Sequence, residues 1–276
     1  MKRVKILDMK LLVVTVVTIL MSSAIQAQEV TDADEQTPDP SDPTRIDTRA
    51  GAGYKYTDFT GGAVINEIRA KLALLQGSSG MFVVDIGVGK INDNPNGEDE
   101  TGLTDGRFRY FHLGPMDFKK MGYRGWGMSA ELQTQGTVPG TDGSNLFAVG
   151  AIWSFKTTST LSIFPNIIGS AVWSNDFDSF LGVAARGDLF ITWKPEGIWR
   201  GGYLKLKPSY SYGVSGDIDG SDSASLEVSV GGMLSKDKKW WWDIQGRGFG
   251  EDELEQEIQG PISSEWSAYL SFTYFI

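Results

Sequence analysis

Trp266-Ser267-Ala268-Tyr269-Leu270-Ser271-Phe272-Thr273-Tyr274-Phe275-Ile276 places an apolar residue at every second position from Trp266 to Ile276. Ser267, Tyr269, Ser271, Thr273 and Phe275 fill the gaps. Side chains alternate along a strand, so the segment shows one apolar face and one mixed, mostly polar face. An edge strand this apolar is an aggregation hazard in water, and nothing follows it in the chain to cover it. Pairing with the first strand of the same sheet removes the edge. That solution predicts a closed barrel.

The residues upstream carry the same period. From Arg45 onward there is no long amphipathic helix, and stretches of about ten alternating residues recur between Gly, Asn, Asp, Ser and Pro clusters. Strands are expected near 45–58, 62–76, 81–91, 104–114, 124–137, 145–155, 158–174, 179–194, 201–215, 222–235, 239–250 and 264–276. The expected fold is all-β, a transmembrane antiparallel up-and-down β-barrel of about 12 strands over residues 45–276. In 180–194, Leu181, Val183, Ala185, Leu189, Ile191 and Trp193 share one face, while Arg186, Asp188 and Lys194 lie on the other. A soluble sandwich would not place ionised residues at mid-strand opposite an uncharged apolar face. Connections at 76–80, 156–158, 194–200 and 235–239 are short and read as periplasmic turns, and Lys119, Lys120, Arg124, Lys156, Lys194, Arg200, Lys236, Lys238 and Lys239 gather at that end. Longer or more polar connections at 92–103, 138–144, 216–221 and 251–261, most of them acidic, read as extracellular loops. Trp126, Trp153, Phe155, Trp193, Trp242, Phe272 and Tyr274 gather toward the first end, and Tyr54, Tyr56, Trp173, Tyr212 and Trp266 toward the second. Aromatic girdles of this kind mark the two membrane–water interfaces.

Lys2, Arg3, Lys5 and Lys10 precede the apolar run 11–20, and small residues follow, with Ala24 or Ala27 before the expected cleavage. Residues 1–27 therefore read as a signal peptide. Their removal takes away four basic residues and Asp8, so the net charge of −10 becomes −13. Such an acidic balance argues against nucleic acid as a partner. Residues 28–44 are acidic and Pro-rich, with Val30 the one large apolar residue, and are expected to be a disordered periplasmic tail. With no cysteine, neither a disulfide nor a lipid attachment site is available.

By strand parity the lumen receives Arg49, Lys55, Arg69, Lys71, Arg107, Arg109, Arg186, Lys205, Lys207 and Arg247, and the acids Asp47, Glu67, Asp85, Glu131, Asp188, Glu227, Asp243 and Glu265. Folding neighbouring strands about their turns sets Lys71 opposite Asp85, Arg107 opposite Glu131, Asp188 opposite Lys207, and Arg247 opposite Glu227 and Glu265. Charges in a narrow lumen need partners, so the pairs serve as scaffold. A basic surplus among Arg69, Arg107, Arg109, Arg186 and Arg247 would also make a selectivity zone. No catalytic constellation is visible. The one histidine, His112, shares parity with Phe108 and Tyr110 and points toward lipid. The acidic loops lack full calcium-ligand spacing, so no metal and no cofactor is expected, and the chain is not read as an enzyme.

The terminal strand resembles the C-terminal assembly signal of Gram-negative outer-membrane β-barrels, with Phe272, Tyr274 and Ile276 as its terminal apolar residues. Asp105-Gly106-Arg107-Phe108-Arg109-Tyr110, Gly125-Trp126-Gly127, Val138-Pro139-Gly140-Thr141-Asp142 and Leu204-Lys205-Leu206-Lys207-Pro208 resemble outer-membrane transporters grouped with the meta-pathway of phenol degradation. In that group a P-T-G order is common where Pro139-Gly140-Thr141 stands here. The resemblance implies passive uptake of small aromatic or hydrophobic solutes. It also implies outer-membrane lipid, lipopolysaccharide and the barrel-assembly machinery as partners. Two other readings fit the same residues: a closed surface barrel presenting acidic loops, and a channel for acidic oligosaccharides.

Overall fold

Alternation leaves each strand with an apolar face and a charged face, and in the computed structural model the sheet built from them closes on itself. The structure describes residues 38–93, 100–138, 145–174, 177–195, 201–250, 254 and 264–276. The strands are β1 (Arg49–Phe59), β2 (Val64–Gln76), β3 (Gly80–Asn92), β4 (Thr101–Met116), β5 (Gly122–Gln135), β6 (Asn145–Lys156), β7 (Leu161–Trp173), β8 (Phe180–Trp193), β9 (Tyr203–Gly216), β10 (Asp222–Met233), β11 (Trp240–Phe249) and β12 (Ser264–Phe275). Each pairs antiparallel with its sequence neighbours, and β12 closes on β1 from Arg49↔Phe275 to Phe59↔Ser264. Closure gives every strand two partners and removes the edge that the terminal segment would otherwise expose.

The outer surface has the character of a lipid-facing wall. Ile68, Val149, Ile167 and Ile244 are 67%, 53%, 60% and 53% exposed near the middle of their strands. Aromatic pairs ring both ends. Tyr56 lies against Trp266 at 5.0 Å and Trp173 against Phe180 at 5.5 Å at the loop end. Tyr123 meets Phe155 at 5.4 Å and Trp240 meets Tyr274 at 4.9 Å at the end carrying the termini. His112 is exposed on the outer face, in register with Met128.

At the loop end, Phe59, Ile65 and Ile91 enclose Val138, and Val172 and Ala184 enclose Ile218 and Leu254. Residues of the connecting loops thus fold over the mouth as two apolar patches. The termini end is narrowed by Tyr203, Trp241 and Phe275, three inward aromatic residues.

Pro38–Thr44 departs from the expectation of disorder. Ser41, Asp42 and Thr44 are buried. The Thr192 hydroxyl donates to the Ser41 carbonyl at 3.1 Å, and Lys194 pairs with Asp39. The segment has little apolar surface, so its order comes from polar contacts with the barrel wall that its composition does not reveal. Residues 1–27, expected to be a signal peptide, and 28–37 of the expected tail lie outside the described residues.

An arginine at a lipid-facing midpoint costs about 2–4 kcal/mol, whereas an arginine on a water-facing surface costs almost nothing. Ile68→Arg is therefore expected to destabilise the barrel by about 2–4 kcal/mol in urea unfolding from lipid vesicles. A change below about 0.5 kcal/mol would contradict a lipid-facing wall.

Candidate lumen site

The lumen wall is built from residues that alternate with the lipid face, and its densest cluster lies across β1 to β4. Arg69 on β2 is the hub, with a side chain only 8% exposed. It reaches Glu67 at 3.2 Å, Asp85 at 2.9 Å and Asp105 at 2.6 Å. Lys55 approaches Glu67 at 3.1 Å, and Arg107 approaches Asp105 at 3.1 Å. Three carboxylates thus meet three cations. A planar guanidinium with five donors can serve several carboxylates at once, as a lysine ammonium cannot.

A bulge makes this possible. Between Ile86 and Val88 the β3–β4 register shifts, and the extra residue on β4 turns both Thr104 and Asp105 toward the cluster. Thr104 donates to Glu67. Gly87 supplies the room: a Cβ there would lie 2.2 Å from the Thr104 hydroxyl and 2.6 Å from Glu67 Oε2. Asp105 is absent from the acids assigned by parity, although it sits two residues before Arg107.

Around the rest of the wall the pairs are smaller. Arg109 bonds Glu131 across β4 and β5. Arg186 holds Asp188 at 2.7 Å, and Asn166 donates to the same carboxylate at 3.1 Å. Lys205 and Lys207 both lie 3.6 Å from Glu227. Arg247 donates to the Ser225 hydroxyl at 3.0 Å, and Tyr203 to Asp243 at 2.6 Å.

Several expected partners are corrected. The registers Lys71↔Asp85 and Glu227↔Arg247 are as expected. Asp85 Oδ1 nevertheless accepts from Arg69, whose side chain reaches diagonally past the opposite residue. Glu131 faces Arg109 and not Arg107, Asp188 faces Ser209 and not Lys207, and Arg247 faces Ser267 and not Glu265. Each is a slip of two residues set by turn and bulge geometry. A slip of two keeps a side chain on its face and changes its partner.

Beside these clusters lies a lumen cavity of about 160 Å³, lined by residues that include Pro40, Arg49, Lys71, Asp85, Tyr203, Lys205, Asp243 and Tyr269. Pro40 brings the N-terminal segment into it. That segment runs from β8, where Asp39 and Ser41 are held, past the Phe118 ring, which stacks 3.9 Å from the Arg45 guanidinium, into β1. Since β8 and β1 stand five places apart in a ring of twelve strands, it forms a strap across the termini end. Burial alone would raise the Asp39 carboxyl, but Lys194 and the Ser41 donors hold it below its ordinary value. Burial, reinforced by Asp39, pushes the Asp42 carboxyl up. Asp39 thus supports docking above the ordinary carboxylate range, a contribution lost as pH falls through its lowered value. The support from neutral Asp42 is present at low pH and is lost as pH rises through its raised value.

The C-terminal residues lie where expected relative to the wall. Phe272 and Ile276 are exposed outside, Tyr274 stacks on Trp240, and the Ile276 amide donates to the Thr48 carbonyl at 3.0 Å. Phe275, on the alternate face, points inward and is buried, as is Trp241. Among the described residues no cluster of His, Cys, Asp and Glu could hold a metal ion.

No family model matches the chain, and no curated protein matches it in sequence. Its structure is similar to that of the COG4313 outer membrane channel from Pseudomonas putida F1, with 12% identity, a TM-score of 0.60, and coverage of 90% of this chain and 100% of that one. It is also similar to the NanC porin, with 10% identity, a TM-score of 0.52, and coverage of 83% of this chain and 100% of that one. Both share its fold, that of outer-membrane barrels.

Removing Arg69 would leave three carboxylates in a poorly hydrated site. Arg69→Met is expected to cost about 3–5 kcal/mol in urea unfolding, with Arg186→Met, whose side chain is 32% exposed, costing clearly less. Equal losses would contradict the hub assignment.

Proposed function

We propose that the chain is a narrow passive channel of the Gram-negative outer membrane, carrying small solutes through a charge-lined lumen without catalysis. The observation that carries this reading is the cavity inside the barrel wall, where the exposed Lys71 ammonium stands among charged and phenolic side chains. A closed scaffold gains nothing from an accessible cation in its interior. The neighbours named as a channel and a porin support the reading through their shared fold. The family resemblance supports small aromatic or hydrophobic cargo, and the apolar patches over the loop end suit such an entrance. Export rests on residues 1–27 as a signal peptide. Recognition by the assembly machinery rests on Phe272, Tyr274 and Ile276, and the outward apolar wall supports contact with lipid and lipopolysaccharide. The selectivity zone extends over Arg69, Lys71, Asp85, Arg107, Arg109, Glu131, Arg186, Asp188, Lys207, Glu227 and Arg247, most of them serving to hold one another.

One observation favours a closed barrel as the second reading: the strap lies across the termini end. Recordings of the refolded chain from residue 28 in planar bilayers separate the two. Discrete conductance steps are expected for the wild type. Lys194→Met removes a half-exposed ion pair worth about 1 kcal/mol or less, so the open fraction should rise by up to about fivefold. Asp42→Asn, which removes a carboxylate that burial disfavours, should lower it at neutral pH. Silence in both the wild type and Lys194→Met would contradict the channel.

A further inference from the structure

Lys71 is an inward cation that the ion-pair mesh of the described residues does not balance. The Glu67–Asp85–Asp105 cluster is neutralised by Lys55, Arg69 and Arg107. Lys71, the next inward residue on β2, stands opposite Asp85 and is attracted by it. Yet Asp85 Oδ1 accepts from Arg69 Nε at 3.0 Å and Nη2 at 2.9 Å. Among the described residues no carboxylate lies within 4.0 Å of the Lys71 ammonium, and no acceptor hydrogen-bonds it. It is exposed, and the space before it is the lumen cavity.

The rest of that cavity is similarly arranged. Arg49 and Lys205 line it as well, and Lys205 shares Glu227 with Lys207. Of its two acids, Asp85 is engaged by Arg69 and Asp243 by the Tyr203 hydroxyl. Tyr269 lies over Gly53, where a Cβ would come within 2.6 Å of the ring, so the missing side chain lets the phenol lie flat against the wall.

We infer that this cavity is a binding subsite for a small organic monocarboxylate, whose carboxylate sits on Lys71 and whose ring or short chain lies along Tyr269. The inference rests on solute reaching the cavity through the lumen, as the channel reading has it. The volume suits about one six-membered ring, since an engineered protein cavity of about 150 Å³ accommodates benzene. Charge selects the carboxylate. A neutral hydrocarbon would strip water from Lys71, Arg49 and Lys205 and return no hydrogen bond, whereas a carboxylate supplies charge-assisted ones. Asp85 and Asp243 in the same wall repel a second carboxylate, so a polyanion fits less well than a monoanion.

Binding is read apart from transport by fluorine NMR of 4-fluorobenzoate with the refolded barrel in detergent micelles. Saturable line broadening is expected, reversed by unlabelled benzoate. 4-Fluorobenzyl alcohol, the neutral counterpart, should show none of this saturable broadening. Lys71→Gln should weaken 4-fluorobenzoate binding at least about tenfold, as loss of a charge-assisted hydrogen bond requires. Lys71→Arg should retain binding, and Lys236→Gln in the β10–β11 turn should leave it unchanged. Equal binding by wild type and Lys71→Gln, or equal binding of the alcohol, would overturn the subsite. Binding with no bilayer conductance would keep the subsite and reject the channel. Conductance with no binding would do the reverse.

Discussion

Closure of β12 on β1 is the constraint on which everything else depends. A sheet in lipid must satisfy its backbone groups within itself, and only a ring of strands does so without an edge. Once the ring is closed, the period of two sorts every side chain to lipid or lumen, with no intermediate layer in which to place a charge. Inward charges must then find each other. Arg69 with its three carboxylates, Arg109 with Glu131, and Arg186 with Asp188 are local solutions to that one problem.

The alternation that makes closure necessary is visible residue by residue, so strand number, strand limits and the face taken by each side chain were legible in the sequence. Lys71↔Asp85 and Glu227↔Arg247 were legible too, because short turns set their register. Ion pairing was not. An arginine side chain spans more than one strand spacing, so Arg69 takes Asp85 from the lysine directly opposite it. The bulge that turns Thr104 inward beside Asp105 depends on a backbone irregularity that leaves no trace in an alternating pattern. Parity put Phe275 and Trp241 inward, but not their clustering with Tyr203. Contact among three strands that are not all neighbours depends on barrel curvature, which alternation along one strand does not carry.

Pro38–Thr44 shows the limit of composition as a guide. Acidic and Pro-rich, the segment has nothing apolar enough to drive burial, yet the wall offers Thr192 and Lys194 at the right places. Its order belongs to the barrel as much as to its own residues. Between the strap and aromatic cluster at the termini end and the apolar patches at the loop end, the lumen wall carries its charges. There the mesh consumes most of the basic residues as structural partners. The surplus expected among the arginines falls instead on a lysine, Lys71, which the mesh leaves facing the cavity.

The most direct test of this account is the reversal potential of the reconstituted barrel across a potassium chloride gradient. An interior whose clustered acids are held in ion pairs and whose cavity presents the unpaired Lys71 predicts a preference for chloride that shrinks in Lys71→Gln. A preference for potassium, or the same reversal potential in the wild type and Lys71→Gln, would contradict it.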